Sequence, residues 1–337
     1  MHLTVTTREL HPRQTFRIAR ARRNAVNNVF VRVERDGIAG WGEASPNAFY
    51  DETAEGVTEK LASIRGPLRS LKLDTVEDIS AAWATLWPSL SPSRAAQCAI
   101  DLALWDWLGH ALGRSVCELA WGEPAKPVAS FATIGLSSRE ELANKLSEVR
   151  TFPRIKIKSD ASADLSAVRT TRSETQALVA VDANCAWGAI DLASVASQLA
   201  ELGVDFVEQP LPPDSDTLLK PGRLMLPVLA DESCVTEDDV PRVVRHFDGF
   251  NIKLVKCGGL TPALRMIRAG REAGRRMMVG CMLESSLLIA AGAVAAQQTD
   301  YADLDGAWLL SDDPCKGWAF QDGMLCPPIG PGLGVTW

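Results

Sequence analysis

Between residues 154 and 253 the chain reads Arg154-Ile-Lys-Ile-Lys158, Leu178-Val-Ala-Val-Asp182, Phe206-Val-Glu208, Pro227-Val-Leu-Ala-Asp231 and Gly249-Phe-Asn-Ile-Lys253. Each run is short, rich in β-formers and closed by a charged residue. Lys158, Asp182, Glu208, Asp231 and Lys253 stand 24, 26, 23 and 22 residues apart, one strand-plus-helix unit each time. Such alternation implies parallel strands joined by crossovers. Working outward, Ser130–Ile134 precedes these runs and Met277–Cys281 and Tyr301–Asp305 follow them, which makes eight. Eight is the number a closed (β/α)8 barrel needs, and such a barrel carries its active site at the carboxyl ends of its strands.

The order of the five charged residues matters. Lys158 ends the second strand and Lys253 the sixth, half a turn apart in an eight-strand ring, so they face each other across the mouth. Asp182, Glu208 and Asp231 form an arc between them. Three carboxylates with no His or Cys nearby suit a hard divalent cation, Mg2+ first. A bland pairing of each acid with a neighbouring cation accounts for one such residue better than for three in succession. Lys156 and Lys158 share one face of a strand. With Ile155 and Ile157 turned to the helices, both lysines point inward. A buried lysine close to other cations is expected to have a depressed pKa and to act as a base.

The first part of the chain reads as an α+β unit. Met1–Val5, Thr15–Ile18, Val29–Glu34 and Ile38–Glu43 are strand-like, and Asp36-Gly37 supplies a hairpin turn. Helical stretches follow near Glu52–Ile64, Thr75–Trp87 and Pro92–Leu112, the last with Ala95, Ala99, Leu102 and Trp105 at helical spacing and Gly113 as a stop. The tail from Asp312 is too irregular for a ninth unit and is expected to return to the first. The expected division is therefore 1–115, completed by 312–337, and a barrel over 116–311.

Apolar residues make up 46% and charged residues 23% of the chain, ordinary for a globular enzyme with a sizeable core. A net charge of −7 and a pI of about 5.3 argue against a nucleic-acid partner. The longest apolar run, Leu287–Ala296, falls far short of a membrane span, and the first residues do not resemble a signal peptide. Eight cysteines without a Cys-x-x-Cys read as free thiols, so a cytoplasmic protein is expected. The ten tryptophans, among them Trp83, Trp87, Trp105 and Trp107, are expected in the core.

Lys156-Ile157-Lys158, Val181-Asp182-Ala183-Asn184, Val207-Glu208-Gln209-Pro210, Asp231-Glu232-Ser233, and Asn251-Ile252-Lys253-Leu254 with Gly258-Gly259 resemble the muconate-lactonizing-enzyme branch of the enolase superfamily. Gly40-Trp41-Gly42-Glu43 resembles that family's N-terminal capping domain, so the likeness spans nearly the whole chain. The resemblance implies an α/β fold, a modified (β/α)8 TIM-type barrel under an α+β capping domain. It also implies one Mg2+ on Asp182, Glu208 and Asp231, Lys158 and Lys253 as acid and base, an enediolate intermediate, and assembly of several copies of the chain. Lys256 is a rival for the second lysine but lies past the strand end. Asn184 and Glu232 are expected to support the metal or Lys253 from behind. The mandelate-racemase branch wants a His base, and none of His2, His11, His110 or His246 ends a barrel strand.

A metal between two lysines serves lyases, racemases and cycloisomerases alike. Asp303-Leu304-Asp305 discriminates: two acids on one face suit an ammonium group, and the stretch resembles the Asp-x-Asp feature of dipeptide epimerases. Arg17, Arg20, Arg22 and Arg23 crowd a segment between two strands, and Phe16-Arg17-Ile18-Ala19-Arg20, with Arg23, resembles the specificity loop of some L-Ala-D/L-Glu epimerases, which implies that Arg20 and Arg23 meet a side-chain carboxylate. Thr133 and Lys156 are expected at the substrate carboxylate. The resulting expectation is two-lysine proton transfer on a murein-derived dipeptide such as L-Ala-D/L-Glu. The alternatives are an o-succinylbenzoate synthase or muconate cycloisomerase, a metal-free Schiff-base barrel, and a barrel that binds without catalysis.

Overall fold

The computed structural model describes residues 1–18 and 21–337; Arg20 lies outside the described residues. Strands β1 (His2–Leu10), β4 (Val26–Arg35) and β5 (Ile38–Ala44) form one antiparallel sheet. β1 and β4 pair from His2↔Glu34 to Leu10↔Val26, a longer ladder than the sequence pattern suggests. Asp36 and Gly37 turn β4 into β5 with φ of 55° and 78°, the left-handed pair that a two-residue hairpin requires. Between β1 and β4 the expected single strand is instead a small hairpin, β2 (Phe16–Ile18) against β3 (Ala21–Arg23). Three longer helices follow: α1 (Ala54–Ser63), α2 (Val76–Leu90) and α3 (Arg94–Leu112).

Helix α3 is buried from Ala95 to Gly109, because it is clamped between this sheet and the barrel, as an all-round apolar helix must be. Gly40 and Gly42 explain how close it comes. A Cβ on Gly42 would lie 1.9 Å from the Ala99 carbonyl oxygen, and one on Gly40 2.3 Å from that of Ala103. Both obstacles are helix backbone and cannot rotate aside. Gly42→Ala is therefore expected to cost about 1–3 kcal/mol or more by overpacking. A denaturant melt reads this directly, and a variant as stable as the parent would mean that α3 can slide off the sheet. On its other side α3 meets the barrel, where Asp101 accepts hydrogen bonds from Thr261 Oγ1 (2.6 Å) and N (2.9 Å).

The barrel is β6 (Phe131–Ile134), β7 (Arg154–Lys158), β8 (Leu178–Asp182), β9 (Val204–Glu208), β10 (Val228–Ala230), β11 (Gly249–Lys253), β12 (Arg276–Gly280) and β13 (Tyr301–Asp303). Neighbours in this order pair in parallel. At the seam between last and first, a Ser130↔Ala302 bridge replaces a full ladder, reinforced by Leu304 N donating to Ser130 Oγ at 2.8 Å. Outer helices include α4 (Arg139–Glu148), α5 (Ser166–Glu174), α6 (Leu192–Glu201), α7 (Leu260–Glu272) and α8 (Ser286–Ala296). The ring departs from eightfold regularity after β9. Pro210, Pro212 and Pro213 break any helix there, leaving a 3-10 turn over Pro213–Leu218.

The apolar run Leu287–Ala296 lies in α8, every residue of which is buried. Among the described residues no helix is long and apolar enough to cross a membrane. All eight cysteines are free. Trp105 and Trp107 are core residues. Trp83 and Trp87 stack on each other with Arg265 and Arg94 over them, so that pair is only part-buried. In the tail, Ala319–Gln321 and Met324–Cys326 form a hairpin that adds to Val128–Ala129, just before β6. Beyond it, Gly332 O accepts from Val116 N (2.8 Å), Asp106 accepts from both Leu333 N and Trp41 N, and Trp337 packs on Phe30 and Trp41.

Candidate active site

Inward-facing positions recur every second residue along a strand, and two layers inside the barrel follow from that. The lower is apolar: Phe131, Ala180, Phe206, Leu229, Met278 and Tyr301, with Phe206 4.8 Å from Tyr301 and 5.7 Å from Phe131 between ring centres. Two residues on, the same strands present Thr133, Asp182, Glu208, Asp231 and Asp303. β7 adds Lys156 and Lys158, and β11 adds Asn251 and Lys253. All are 9% exposed or less. Ile155 and Ile157 lie in a different cluster, with Leu142 and Leu146 of α4 and Val168 of α5.

The charges are interlocked. Lys158 Nζ donates to Asp182 (2.5 Å), Lys156 Nζ to Glu208 (3.0 Å) and to Asp303, and Lys253 Nζ to Asp231 (2.8 Å). Asn251 Nδ2 holds the other Glu208 oxygen at 2.6 Å. Lys256, in the short helix after β11, is fully buried and bonds Asp231 Oδ1, its carbonyl and that of Asn251. It does not line the cavity, whereas Lys253 does. Gln209, at a φ of 34°, ties the next strand ends together by accepting from Asp231 N and Ser233 N and donating to Ser233 Oγ. Asn184 N donates to Asp182 Oδ1, and Asn184 Nδ2 donates to Glu232 Oε1 at 3.3 Å.

Two expectations change. Burial opposes the charge of Lys253, but Asp231 and then Glu208 more than offset it and hold its pKa well above the ordinary value. Lys156 behaves likewise, through Asp303, Glu208 and Asp182. The depressed pKa expected of lysines among cations fails for these two because their nearest partners are acids. Second, Thr133 and Lys156 are turned toward Asp303: the Thr133 hydroxyl donates to it at 3.2 Å. Asp305, at the start of the short helix Gly306–Leu309, accepts from Thr133 N at 2.6 Å. Burial, then the Asp303 charge, push its carboxyl up to about 7.

Among the described residues, five carboxylates (Asp182, Glu208, Asp231, Asp303 and Asp305) thus lie buried together with four lysines. Burial and then Asp182 raise Glu208 to about 7, a carboxyl short of positive charge. Among the described residues no three Asp, Glu, His or Cys side chains are already gathered as a finished cation site. A divalent cation among Asp182, Glu208 and Asp231 would compete with the lysines for their oxygens. The donor chemistry nonetheless fits one: three hard carboxylates on adjacent strand ends, in electrostatic reach of one another, of which Asp182 and Asp231 are held low by their lysines and Glu208 alone is raised.

Above this layer lies a cavity of about 450 Å3. Its floor is Thr133, Lys156, Lys158, Asp231, Lys253, Asp303 and Asp305, and its roof comes from the N-terminal unit: Arg23, Val26 and the segment Ser45–Tyr50. The roof is pinned to the loop after β12. Asn28 Nδ2 and Ser45 Oγ donate to Leu283 O, and Glu43 accepts from Ser285 N and Oγ. Of the expected site residues, Arg23 reaches the cavity, Asp182 and Glu208 lie fully buried beneath its lining, and Arg20 lies outside the described residues. Tyr50, Asn47, Met282 and Leu283 were not anticipated. The one local signal is Asn47, an N-cap residue before the 3-10 turn Ala48–Tyr50; its approach to Met282, and that of Leu283 to Ser45, spans more than 200 residues.

Residues 139–337 match the family of enolase C-terminal domain-like proteins, and residues 2–120 match the mandelate racemase / muconate lactonizing enzyme N-terminal domain. An L-Ala-D/L-amino acid epimerase of Maribacter sp. is 38% identical over 341 residues, which covers 100% of this chain and 99% of the relative. An L-Ala-D/L-Glu epimerase of Bacteroides thetaiotaomicron is 35% identical, over 99% of this chain and 88% of the relative. A crystal structure of a dipeptide epimerase from Methylococcus capsulatus, complexed with Mg and L-Arg-D-Lys, superposes with a TM-score of 0.91 at 31% identity over 99% of both chains.

Proposed function

The chain belongs to the mandelate racemase / muconate lactonizing enzyme family of enolase-like proteins, and from that membership we propose that it is a Mg2+-dependent dipeptide epimerase of the L-Ala-D/L-Glu type. One observation carries the dipeptide: Asp303 and Asp305 lie buried together at the cavity floor, and among the described residues a single lysine, Lys156, bonds Asp303 and none bonds Asp305. A substrate ammonium group supplies the missing cation. Substrates of a succinylbenzoate synthase or a muconate cycloisomerase have no ammonium group and leave this pair without a partner.

In this reading Asp182, Glu208 and Asp231 hold the Mg2+. When bound, it offsets the negative charge that builds on the substrate carboxylate as its α-proton leaves. Lys158 and Lys253 stand at the ends of β7 and β11, four strands apart around the ring. One removes the α-proton, and the other delivers a proton to the opposite face, which inverts the stereocentre. Asp182 and Asp231 hold the two Nζ groups at their strand ends; the lysine that removes the proton must be the neutral amine, a form favoured once the charge of these carboxylates is drawn away from the lysines to a bound Mg2+. Lys156 and Thr133 hold Asp303 for the substrate amine, and Arg23 at the roof meets the side-chain carboxylate of the second residue. We take 1–115 with 312–337 as the capping unit and 116–311 as the catalytic one. The enzyme would act in the cytoplasm, as a homo-oligomer, on peptides released from the cell wall.

The test is 1H NMR of L-Ala-L-Glu and L-Ala-D-Glu in D2O with enzyme and Mg2+. The glutamyl α-proton signal is expected to vanish as the other diastereomer forms, and EDTA to slow this by roughly 100-fold or more, reversibly. Turnover of the succinylbenzoate or muconate substrates instead would replace this function. Activity indifferent to EDTA would remove the metal from it.

A further inference from the structure

Among the described residues four basic side chains line the cavity, and three of them, Lys156, Lys158 and Lys253, are bonded to acids. Arg23 is the exception. Among the described residues no carboxylate pairs with it, and its guanidinium Nη2 donates to Asn47 Oδ1 at 3.3 Å. The same Oδ1 accepts from Phe49 N at 3.0 Å and so caps the 3-10 turn Ala48–Tyr50. Asn47 Nδ2 reaches down to Met282 Sδ at 3.6 Å, in the loop after β12. One amide therefore joins three separate pieces of chain at the roof: the end of β3, the turn that follows β5, and the barrel rim.

We propose that Asn47 is a positioning residue for substrate choice, holding Arg23 so that the enzyme prefers dipeptides whose second side chain carries a carboxylate. This rests on Arg23 meeting that carboxylate, as read above. An amide suits the task because it accepts from the guanidinium without neutralising it. The Arg23 charge thus stays available to a ligand, and its direction is set by a group anchored to the barrel. A carboxylate at position 47 would instead pair with Arg23 and compete with the substrate.

The experiment compares kcat/KM for L-Ala-L-Glu and L-Ala-L-Gln, with Mg2+, in four variants. Arg23→Met removes the charge itself. Asn47→Ala removes every contact. Asn47→Ser keeps a good cap for Phe49 N but is too short to serve Arg23 as well. Asn47→Asp keeps both acceptors and adds a charge. All four are expected to lower the Glu/Gln ratio, Asn47→Ser by roughly tenfold, the loss of one hydrogen bond to a charged group. The loss should appear in KM rather than kcat. If Arg23→Met leaves the ratio intact, the reading of Arg23 falls. If Arg23→Met abolishes the preference while Asn47→Ser and Asn47→Asp retain it, Asn47 only caps the turn and the proposal is overturned. A loss confined to kcat overturns it equally.

Discussion

Lys158→Ala and Lys253→Ala are each expected to cut kcat for epimerisation of L-Ala-D/L-Glu by about 100- to 10,000-fold, the usual worth of a positioned acid or base. They are expected to fail differently. Each variant retains one lysine, so each should still exchange the α-proton of one diastereomer with D2O without converting it into the other. The two variants should then act on opposite diastereomers. Deuterium incorporation followed by mass spectrometry, alongside polarimetry, reads both properties in one sample. Normal epimerisation by either variant would sink the two-lysine scheme. Lys256→Ala is the informative comparison, because that side chain is buried on Asp231 and Asn251 and does not line the cavity. It should weaken Asp231's position and overall stability, and it should not confer selective exchange of one diastereomer.

The second large effect is expected at Asp303. Asp303→Asn keeps the shape but removes the charge that Lys156 and the substrate ammonium would share. Losing a charge-assisted hydrogen bond costs about 2–3 kcal/mol, or roughly a 30- to 150-fold rise in KM for the dipeptide. Lys156 keeps Glu208 at 3.0 Å, so the ammonium is not left alone and the fold should survive. A thermal melt alongside the kinetics separates the two consequences. A KM unchanged in a well-folded Asp303→Asn variant would end the ammonium assignment. Asp305→Asn should act in the same direction, through the neighbouring carboxyl that burial and Asp303 push up to about 7.

The reading from sequence did best where chemistry repeats at a regular interval. The 22- to 26-residue spacing of Lys158, Asp182, Glu208, Asp231 and Lys253 reflects a single strand-and-crossover unit, and β7, β8 and β11 have the bounds the pattern suggested. Period-two alternation likewise turned Lys156 and Lys158 inward, because a strand has only two faces. Where local signals compete, the outcome shifted. β10 ends at Ala230, one residue before Asp231, and the eighth run stops at Asp303, leaving Asp305 to open a short helix.

By itself, then, the sequence determined the barrel, the two units, the arc of acids and the two facing lysines, since these follow from spacing and periodicity along the chain. Tertiary structure decided the rest. It gave Lys156 and Thr133 to Asp303, raised rather than depressed the pKa of Lys253 through Asp231, and left Lys256 off the cavity. It also brought Arg23, Asn47 and Tyr50 over a site whose own residues begin only at Thr133. The physical reason is common to all of these. A charged group's partner and protonation are set by what lies within a few ångströms in space, and in a barrel with a cap those neighbours come from other strands and another unit.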